Sequence, residues 1–295
     1  NKIITIPFIF HDMFKILTYL SYKNNYFVKF IARRKPLDLN NISSNILANN
    51  QDLDTEQVLD NSEVELSLNS KEIEKGKKIL NENIKKDYKG IVLLCVRNKD
   101  YYNTKFPHFD AKFTEYRNYD IGEFIPSINY LTSKGYLVIR MGYNIEKLEL
   151  NNDLVIDYSQ TNWKSEFMDY YLGYECDFCI STGFGADSYA RLHRKPMGLL
   201  CSSLDEIHYF LENWTYIFGH IKKKNTEGYL SLREIFENKM NDLRNIQQIE
   251  KTNFEIVKNN SEEIKDLAME VTQKFENNYE IKEDETELQN NFWNI

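Results

Sequence analysis

The sequence predicts a doubly wound α/β fold with a parallel β-sheet, and three observations support this prediction. Short apolar runs alternate with amphipathic helical segments from about residue 70 to residue 200. The first run, Ile91 to Val96, is continuously apolar, as expected of a parallel strand that helices cover on both faces. Polar or glycine-containing turns come after the strands. Because strands and helices alternate, we expect a parallel sheet with right-handed crossovers.

A short α/β segment is predicted before this sheet. Ile3 to Phe10 and Tyr26 to Ala32 are predicted as strands, with a helix from Met13 to Leu20 between them. Residues 37–69 are rich in Asn, Asp and Ser and show no sustained period. We therefore expect an exposed connection there and place a domain boundary in it.

The elements of the sheet domain are predicted from apolar periodicity and from capping residues. Glu72 and Glu74 fall in the first turn of the first helix, where the helix dipole favours them. The predicted elements are, in chain order, helix Ser70 to Ile84, strand Ile91 to Val96, a helix from Asp120 through Leu131, strand Tyr136 to Ile139, strand Leu154 to Ile156, a helix opened by Ser165, strand Phe178 to Ile180, helix Ala186 to Leu192 and strand Met197 to Leu200.

The carboxyl-terminal third is predicted to be mainly helical. Residues 204–245 show a helical pattern, and a mixed-charge helix is expected from Ser261 to Phe275. The acidic tail from Asn277 is expected to fray, with Phe292 and Trp293 available for docking. The chain is thus divided into a partial amino-terminal segment with its linker at 1–69, a sheet domain at 70–245 and a helical extension at 246–295.

Composition excludes several classes of protein. The formal charge of -8 argues against a general nucleic-acid binder, which needs a surplus of Lys and Arg. No apolar run approaches the ~18–20 residues of a membrane span. Four cysteines and no visible signal peptide favour the cytoplasm, with at most peripheral association with a membrane. The isolated Cys176 and Cys179 pair is expected to be buried as small apolar side chains.

Arginines stand at the ends of two predicted strands. In an open parallel sheet, ligands bind beyond the carboxyl ends of the strands. Arg97 and Arg140 fall at such ends, and Arg117 lies in the intervening loop. The guanidinium fork suits phosphate oxygens, so the three arginines favour an anion site. The alternative is that Arg97 and Arg140 form structural ion pairs with Asp100 or Asp157.

The turn from Ser181 to Ser188 is the second indication of an anion site. Gly183 and Gly185 allow the backbone to approach a ligand closely, and a helix is predicted to begin directly afterwards. The turn has neither a Walker sequence nor a dinucleotide fingerprint. A plain strand-to-helix turn is the alternative.

General-base candidates lie in and beside the loop after the first strand. His108, Asp110, Glu115 and Asp120 could each accept a proton from an acceptor hydroxyl, and His193 is expected near the same site. Most such carboxylates are simply solvated in folded proteins. No triad order and no metal-ligand spacing occurs, so hydrolase chemistry and a metal cofactor are not expected.

Several of these segments resemble a family of bacterial glycosyltransferases encoded with surface-polysaccharide genes. The order and spacing fit over about residues 65–205. The matching segments are Leu94 to Arg97, Tyr116 to Asp120, Gly135 to Gly142, Ile156 to Tyr158 and Met168 to Leu172. More distantly, the strand-end arginine and the stretch from Asp169 to Gly183 are similar to the fucosyltransferases of core, protein and nodulation-factor fucosylation. The turn departs from both patterns at Gly183 to Asp187.

The resemblance implies a GT-B architecture with a Rossmann-like nucleotide-sugar-binding domain at 70–245. The amino-terminal piece is short for a full acceptor domain, so we expect it to be truncated or reduced. The implied donor-binding residues are Arg97, Arg117, Asn118, Arg140, Gly142, Asp157, Tyr158, Ser181, Thr182, Gly183, Gly185, Asp187 and Ser188, with Asp110, Asp120 and His108 as candidate catalytic bases.

The implied activity is that of a transferase without a metal cofactor. It would be hexosyltransferase-like or fucosyltransferase-like, moving a sugar from a nucleotide-sugar donor to a glycan or lipid-linked acceptor. A non-catalytic module of the same fold that binds a nucleotide or a phosphosugar is the alternative.

Overall fold

The computed structural model describes most of the predicted sheet domain and most of the chain after it. The described residues are 64, 66–99, 115–143, 147–183, 185–202, 211–240, 249–281 and 285–288. The predicted segment before residue 37, the candidates His108 and Asp110, and Phe292 and Trp293 lie outside these residues.

Six parallel strands form the sheet, which confirms the predicted α/β class. Their order is β3-β2-β1-β4-β5-β6, so successive strands are added to one side of β1 and then to the other. The strands are β1 (Gly90–Cys95), β2 (Tyr136–Arg140), β3 (Val155–Asp157), β4 (Phe178–Ser181), β5 (Met197–Cys201) and β6 (Trp214–Phe218).

Helices cover both faces of the sheet. These helices are α1 (Ser70–Asn83), α2 (Ile125–Ser133), α3 (Glu166–Glu175), α4 (Ser188–Leu192) and α6 (Ser261–Phe275), whereas α5 (Leu232–Glu237) packs with the later strands His220–Lys223 and Phe254–Val257. Alternate residues of β1 face opposite sides, so Leu93 packs into one buried cluster and Val92 into the other. The first cluster contains residues of α1, α3 and α4, and the second contains residues of α2 and α6.

Capping residues fix where the long helices begin. The side chain of Asn69, rather than Ser70, caps α1 and forms a capping box with Glu72. Ser165 caps α3, as predicted. Helix α6 has the predicted bounds, and although the sequence places it in a carboxyl-terminal extension, it packs into the same core as β1.

The prediction that residues 204–245 are helical is wrong for most of the described part of that range. Trp214–Phe218 forms β6, which pairs with β5, and His220–Lys223 forms β7. β7 pairs antiparallel with β8 (Phe254–Val257), and only α5 is helical among the residues described there. Aromatic and β-branched residues favour the extended chain of β6, and the partner of β7 lies far along the chain, where local periodicity gives no signal.

The cysteines behave as the sequence predicts. Cys176 and Cys179 are fully buried and free, as are Cys95 and Cys201. Burial raises the pKa of the Cys176 thiol well above its usual value. These thiols therefore contribute to the core as small apolar groups.

Within the part of the chain that the structure describes, no helix has both the length and the apolar character that a membrane crossing requires.

Candidate anion-binding site

The strand order places a crevice beyond the carboxyl ends of β1 and β4. These neighbouring strands are connected to opposite halves of the sheet, β1 through β2 and β4 through β5. Connections that diverge in this way leave a gap between the loops above the sheet, where α/β proteins bind ligands. Arg97 comes after β1 and Thr182 after β4, so both lie at this position.

Arg97 is joined directly to the loop after β4. Its backbone N–H donates to Thr182 Oγ1 over 2.8 Å, and the Thr182 N–H donates to Cys95 O over 3.0 Å. The Arg97 side chain donates through Nε to Asn118 Oδ1 over 3.2 Å. Only 7% of Arg97 is exposed, so its side chain is packed and not extended into solvent.

The segment 115–119 lies across the crevice. The Tyr119 N–H donates to Arg97 O over 3.0 Å, which fixes the segment to the end of β1. Arg117 Nη2 donates to Gly183 O over 3.0 Å, which fixes it to the loop after β4. Arg97 and Arg117, two of the three arginines predicted from sequence to share an anion site, are therefore held at the ends of the same pair of strands.

The same segment is anchored to the far half of the sheet. Ser202, which comes after β5, donates through Oγ to Tyr116 O over 3.1 Å. The Tyr119 hydroxyl donates to Asn259 Oδ1 over 3.2 Å, and Asn259 donates to Phe218 O at the end of β6 over 2.9 Å. Buried hydrogen bonds of this kind restrict the segment to one position.

The loop after β4 has a buried acidic centre. Asp187 is 3% exposed and accepts a hydrogen bond from Ser181 Oγ over 2.5 Å. Arg191 donates to both of its carboxylate oxygens, over 2.8 and 3.0 Å. Asp187 thus stabilises the turn by connecting Ser181 at the end of β4 to Arg191 in α4. Helix α4 has only five residues, so its dipole supports an anion less than the sequence suggests.

The backbone of this loop differs between its two glycines. Gly183 has a φ of +71°, and a Cβ there would lie 2.9 Å from Arg117 Nη2. A Cβ at Gly185 would have nothing within 4 Å. Gly183 therefore has a left-handed backbone conformation that favours glycine, whereas Gly185 faces open space and Ser188 is exposed.

Arg140 has the ion-pair arrangement that is the structural alternative to a ligand contact. It is 2% exposed, and its Nη1 lies 3.3 Å from Asp157 Oδ2. Asp157 also accepts from the Leu148 N–H over 2.8 Å and from Ser159 Oγ over 2.7 Å. The partner expected from sequence is thus confirmed for Arg140, and this buried pair joins the ends of β2 and β3.

Tyr158 and Gly142 are both buried. The Tyr158 hydroxyl donates to Ser165 O over 3.2 Å and accepts from the Ser165 N–H over 3.0 Å. Gly142 is buried after β2. In this arrangement Tyr158 connects β3 to α3 and does not face a ligand.

Asp120 and Glu115 are the candidate bases of this loop that the structure describes, and both are exposed. Asp120 is exposed and accepts a hydrogen bond from the Gly122 N–H over 2.7 Å, which caps the 3-10 turn before α2. Its carboxylate therefore has a structural function. Glu115 is exposed at the start of the segment 115–119.

The expectation that His193 lies near this site is wrong. His193 comes after α4 and before β5, at the amino ends of the strands. Desolvation, with a smaller contribution from Lys195, lowers the pKa of its imidazole. It borders a cavity of about 440 Å³ on the opposite edge of the sheet, which Glu175 also lines.

Lys258 is a residue of the crevice that the sequence does not reveal. It comes after β8, and its Nζ donates to Asn118 O. The ammonium lies 5.5 Å from the centre of the Tyr119 ring. No strand is predicted from the sequence at β8, so Lys258 is not recognised as a residue at a strand end.

Among the described residues, no group of three or more His, Cys, Asp or Glu side chains is placed to hold a metal ion.

Neither a protein-family model nor a curated protein matches this chain, and no solved structure matches it either. The fold is that of an α/β protein with a parallel sheet flanked by helices, and Arg97 and Arg117 are held near the carboxyl ends of β1 and β4.

Proposed function

We propose that this protein is a glycosyltransferase that binds the diphosphate of a nucleotide-sugar donor between the loops after β1 and β4. The observation that carries the proposal is that Arg97 and Arg117 are held in one hydrogen-bonded unit at the ends of β1 and β4. The Arg97 backbone N–H donates to Thr182 Oγ1, the Arg97 side chain donates to Asn118 Oδ1, and Arg117 Nη2 donates to Gly183 O. A planar guanidinium fork can donate to two oxygens of a tetrahedral phosphate, and its positive charge complements that of the anion.

The negative charge of the whole chain strengthens the argument that the clustered arginines form an anion site. The chain carries a formal charge of -8, so a cluster of cations does not reflect a generally basic surface. Placing like charges together is unfavourable in the free protein, and a bound anion relieves that repulsion. A diphosphate is an anion of suitable size and charge.

Cationic side chains at this position suit the chemistry of sugar transfer. The acceptor hydroxyl oxygen replaces the diphosphate oxygen on the anomeric carbon of the sugar. The hydroxyl proton passes to a base, and the electron pair of the broken C–O bond stays on the leaving nucleoside diphosphate. Arg97 and Arg117 would stabilise that developing charge.

The base and the acceptor belong to the same proposal. His108 and Asp110 stay candidates for the base, and so does Asp120, whose Oδ1 accepts from the Gly122 N–H while its second carboxylate oxygen could accept a proton. The proposed acceptor is a glycan or a lipid-linked saccharide of surface polysaccharide synthesis. We propose a cytoplasmic site of action, with at most peripheral contact with the membrane.

Donor turnover by the purified chain tests the proposal. Release of nucleoside diphosphate from GDP-, UDP- and dTDP-sugars, and of CMP from CMP-sugars, would be measured with and without saccharide acceptors. We expect turnover of one class of nucleoside-diphosphate sugar that persists in EDTA, and turnover of CMP-sugars alone would contradict a diphosphate site. Binding that EDTA abolishes and magnesium or manganese restores would contradict the metal-independent mechanism.

A non-catalytic nucleotide-binding or phosphosugar-binding module is the second candidate. The capping contact of Asp120 favours it, since the hydrogen bond that Oδ1 accepts from the Gly122 N–H gives this candidate catalytic base a structural function. Such a module would bind a nucleotide with no release of nucleoside diphosphate, even with acceptors present. Turnover that is lost in a folded Arg117→Ala variant would exclude it.

A further inference from the structure

We infer that Lys258 is a third cation of the crevice and that it makes the site selective for a diphosphate over a single phosphate. This inference rests on the proposed function, and it adds a residue from a distant part of the described chain. Its ligand class is a phosphoanhydride with two adjacent phosphoryl groups.

Asn118 brings Lys258 and Arg97 together. Its side-chain Oδ1 accepts from Arg97 Nε, and its backbone carbonyl accepts from Lys258 Nζ. Two positively charged groups therefore converge on one residue of the segment 115–119. Arg117, the preceding residue, contributes a third positive charge over Gly183.

The position of Lys258 is fixed by its neighbour. Asn259 is 4% exposed, and its side chain links Phe218 O at the end of β6 to the Tyr119 hydroxyl. The backbone at Lys258 is thus attached both to the sheet and to the segment 115–119. A cation attached in this way needs little reorganisation to bind an anion.

The ammonium of Lys258 retains donor capacity for a ligand. Among the described residues it makes one hydrogen bond, to Asn118 O, whereas a lysine ammonium has three N–H donors. The side chain as a whole is exposed, yet burial around the ammonium lowers its pKa, and the Glu115 carboxylate opposes that shift. An anionic ligand would offset this loss of solvation.

Three separate cations suit a diphosphate better than a single phosphate. A nucleoside diphosphate presents more charge and more oxygen atoms than inorganic phosphate, so a third contact adds more affinity for the larger anion than for the smaller one. Lys supplies a point charge at the rim, while Arg97 and Arg117 supply planar forks deeper in the crevice.

Pyrophosphate and inorganic phosphate are the probes that test this inference, because neither carries a base or a sugar. Calorimetric titration would compare the parent chain with Lys258→Met and Lys258→Arg, with Lys265→Met as a matched control on α6. Lys265 pairs with Glu262, away from Asn118. Thermal unfolding without ligand would verify that each variant is folded.

We expect Lys258→Met to weaken pyrophosphate binding roughly tenfold or more and phosphate binding much less. Lys258→Arg should restore most of the loss, and Lys265→Met should match the parent.

Equal affinities of the parent and a folded Lys258→Met for pyrophosphate would overturn this inference but not the proposed function. Equal weakening of both probes would also overturn it, because Lys258 would then only position Asn118. If the parent bound neither pyrophosphate nor any nucleoside diphosphate, both the inference about Lys258 and the proposed function would be wrong.

Discussion

The guanidinium of Arg117 donates a hydrogen bond to Gly183 O over 3.0 Å, and Gly183 itself has a φ of +71°. The contact connects the segment 115–119 to the loop after β4. It also restricts which residue can occupy position 183, since an added Cβ would lie 2.9 Å from Arg117 Nη2. The geometry of the crevice therefore depends on this one glycine.

For Gly183→Ala we expect the free energy of unfolding to fall by about 1–2 kcal/mol, because an L side chain is strained at this φ. Gly185→Ala is the matched control, with no atom within 4 Å of its Cβ, and should differ little from the parent. Urea denaturation of both variants measures the difference. Equal stabilities of the two variants would show that the +71° conformation is not required.

The buried pair between Arg140 and Asp157 supports a second prediction. Arg140→Ala removes a charged hydrogen-bond donor from a carboxylate that is largely buried, so the free energy of unfolding should fall by about 1.5–3 kcal/mol. Lys78→Ala, in the exposed pair with Glu82, should cost no more than about 1 kcal/mol. Chemical denaturation measures the free energy of unfolding of both variants and of the parent.

The same Arg140 variant separates a structural role from a ligand contact. Nucleotide affinity measured on the folded fraction should equal that of the parent if Arg140 only joins β2 to β3. A variant of unchanged stability and reduced affinity would instead support the donor-binding role predicted from sequence.

Glu276 should make the free energy of unfolding depend on pH. It accepts hydrogen bonds from Lys89 Nζ and from the Tyr136 hydroxyl, and the Lys89 contact is the main cause of its lowered pKa. A lowered folded pKa means that this stabilisation is present above the ordinary value of 4.5 and is lost as the pH falls through the folded value.

We therefore expect Glu276→Gln to be less stable than the parent near neutral pH, by about 0.2–1 kcal/mol, the range of a solvent-screened pair. The difference should shrink as the pH falls below 4.5, where the parent carboxylate becomes protonated. Denaturation curves across this range measure it, with Glu82→Gln as the exposed control. A difference that does not change with pH would contradict the proposed linkage.

Gly185 allows the surface of the loop to be tested without disturbing the fold. A side chain there meets no other atom, so Gly185→Val should stay folded while its branched Cβ obstructs a ligand above the loop. We expect nucleoside diphosphate binding to be abolished, and a smaller loss in Gly185→Ala. Unchanged affinity in folded Gly185→Val would place the ligand away from this glycine.

The parallel sheet could be predicted because its information is local. Continuous apolar runs such as Ile91–Cys95 and capping residues such as Ser165 specify strands and helix starts within a few positions. The helical prediction at Trp214–Phe218 overlooks a local signal, since the aromatic and β-branched residues of β6 favour a strand. The sequence does not predict β7 because its partner, β8, lies outside any local window. Pairing between distant segments leaves no periodic signal in either one.

The candidate site could be predicted only in part, for a related reason. Strand ends are visible in the sequence, so Arg97 and Arg140 could be found, but their different surroundings depend on the strand order. Asp157 lies beside Arg140, whereas Asn118 lies beside Arg97. Lys258 reaches the crevice through contacts between distant segments, which a single sequence does not show.

The burial of Arg97 changes how its role can be tested. A residue that is 7% exposed and bonded to Asn118 contributes to stability, so truncation should lower the melting temperature even if Arg97 binds a ligand. Loss of stability therefore does not distinguish the two roles. Affinity measured well below the unfolding temperature does.

Calorimetry of Arg97→Lys against GDP, UDP, CDP and dTDP is the sharpest test of a diphosphate site between β1 and β4. Lys keeps the positive charge but not the planar fork, and Arg140→Lys is the matched control at the other strand end. We predict that the parent binds at least one of these nucleotides and that Arg97→Lys weakens this binding by roughly tenfold or more, with the control unchanged. A folded Arg97→Lys that binds as tightly as the parent would contradict the proposed phosphate contact.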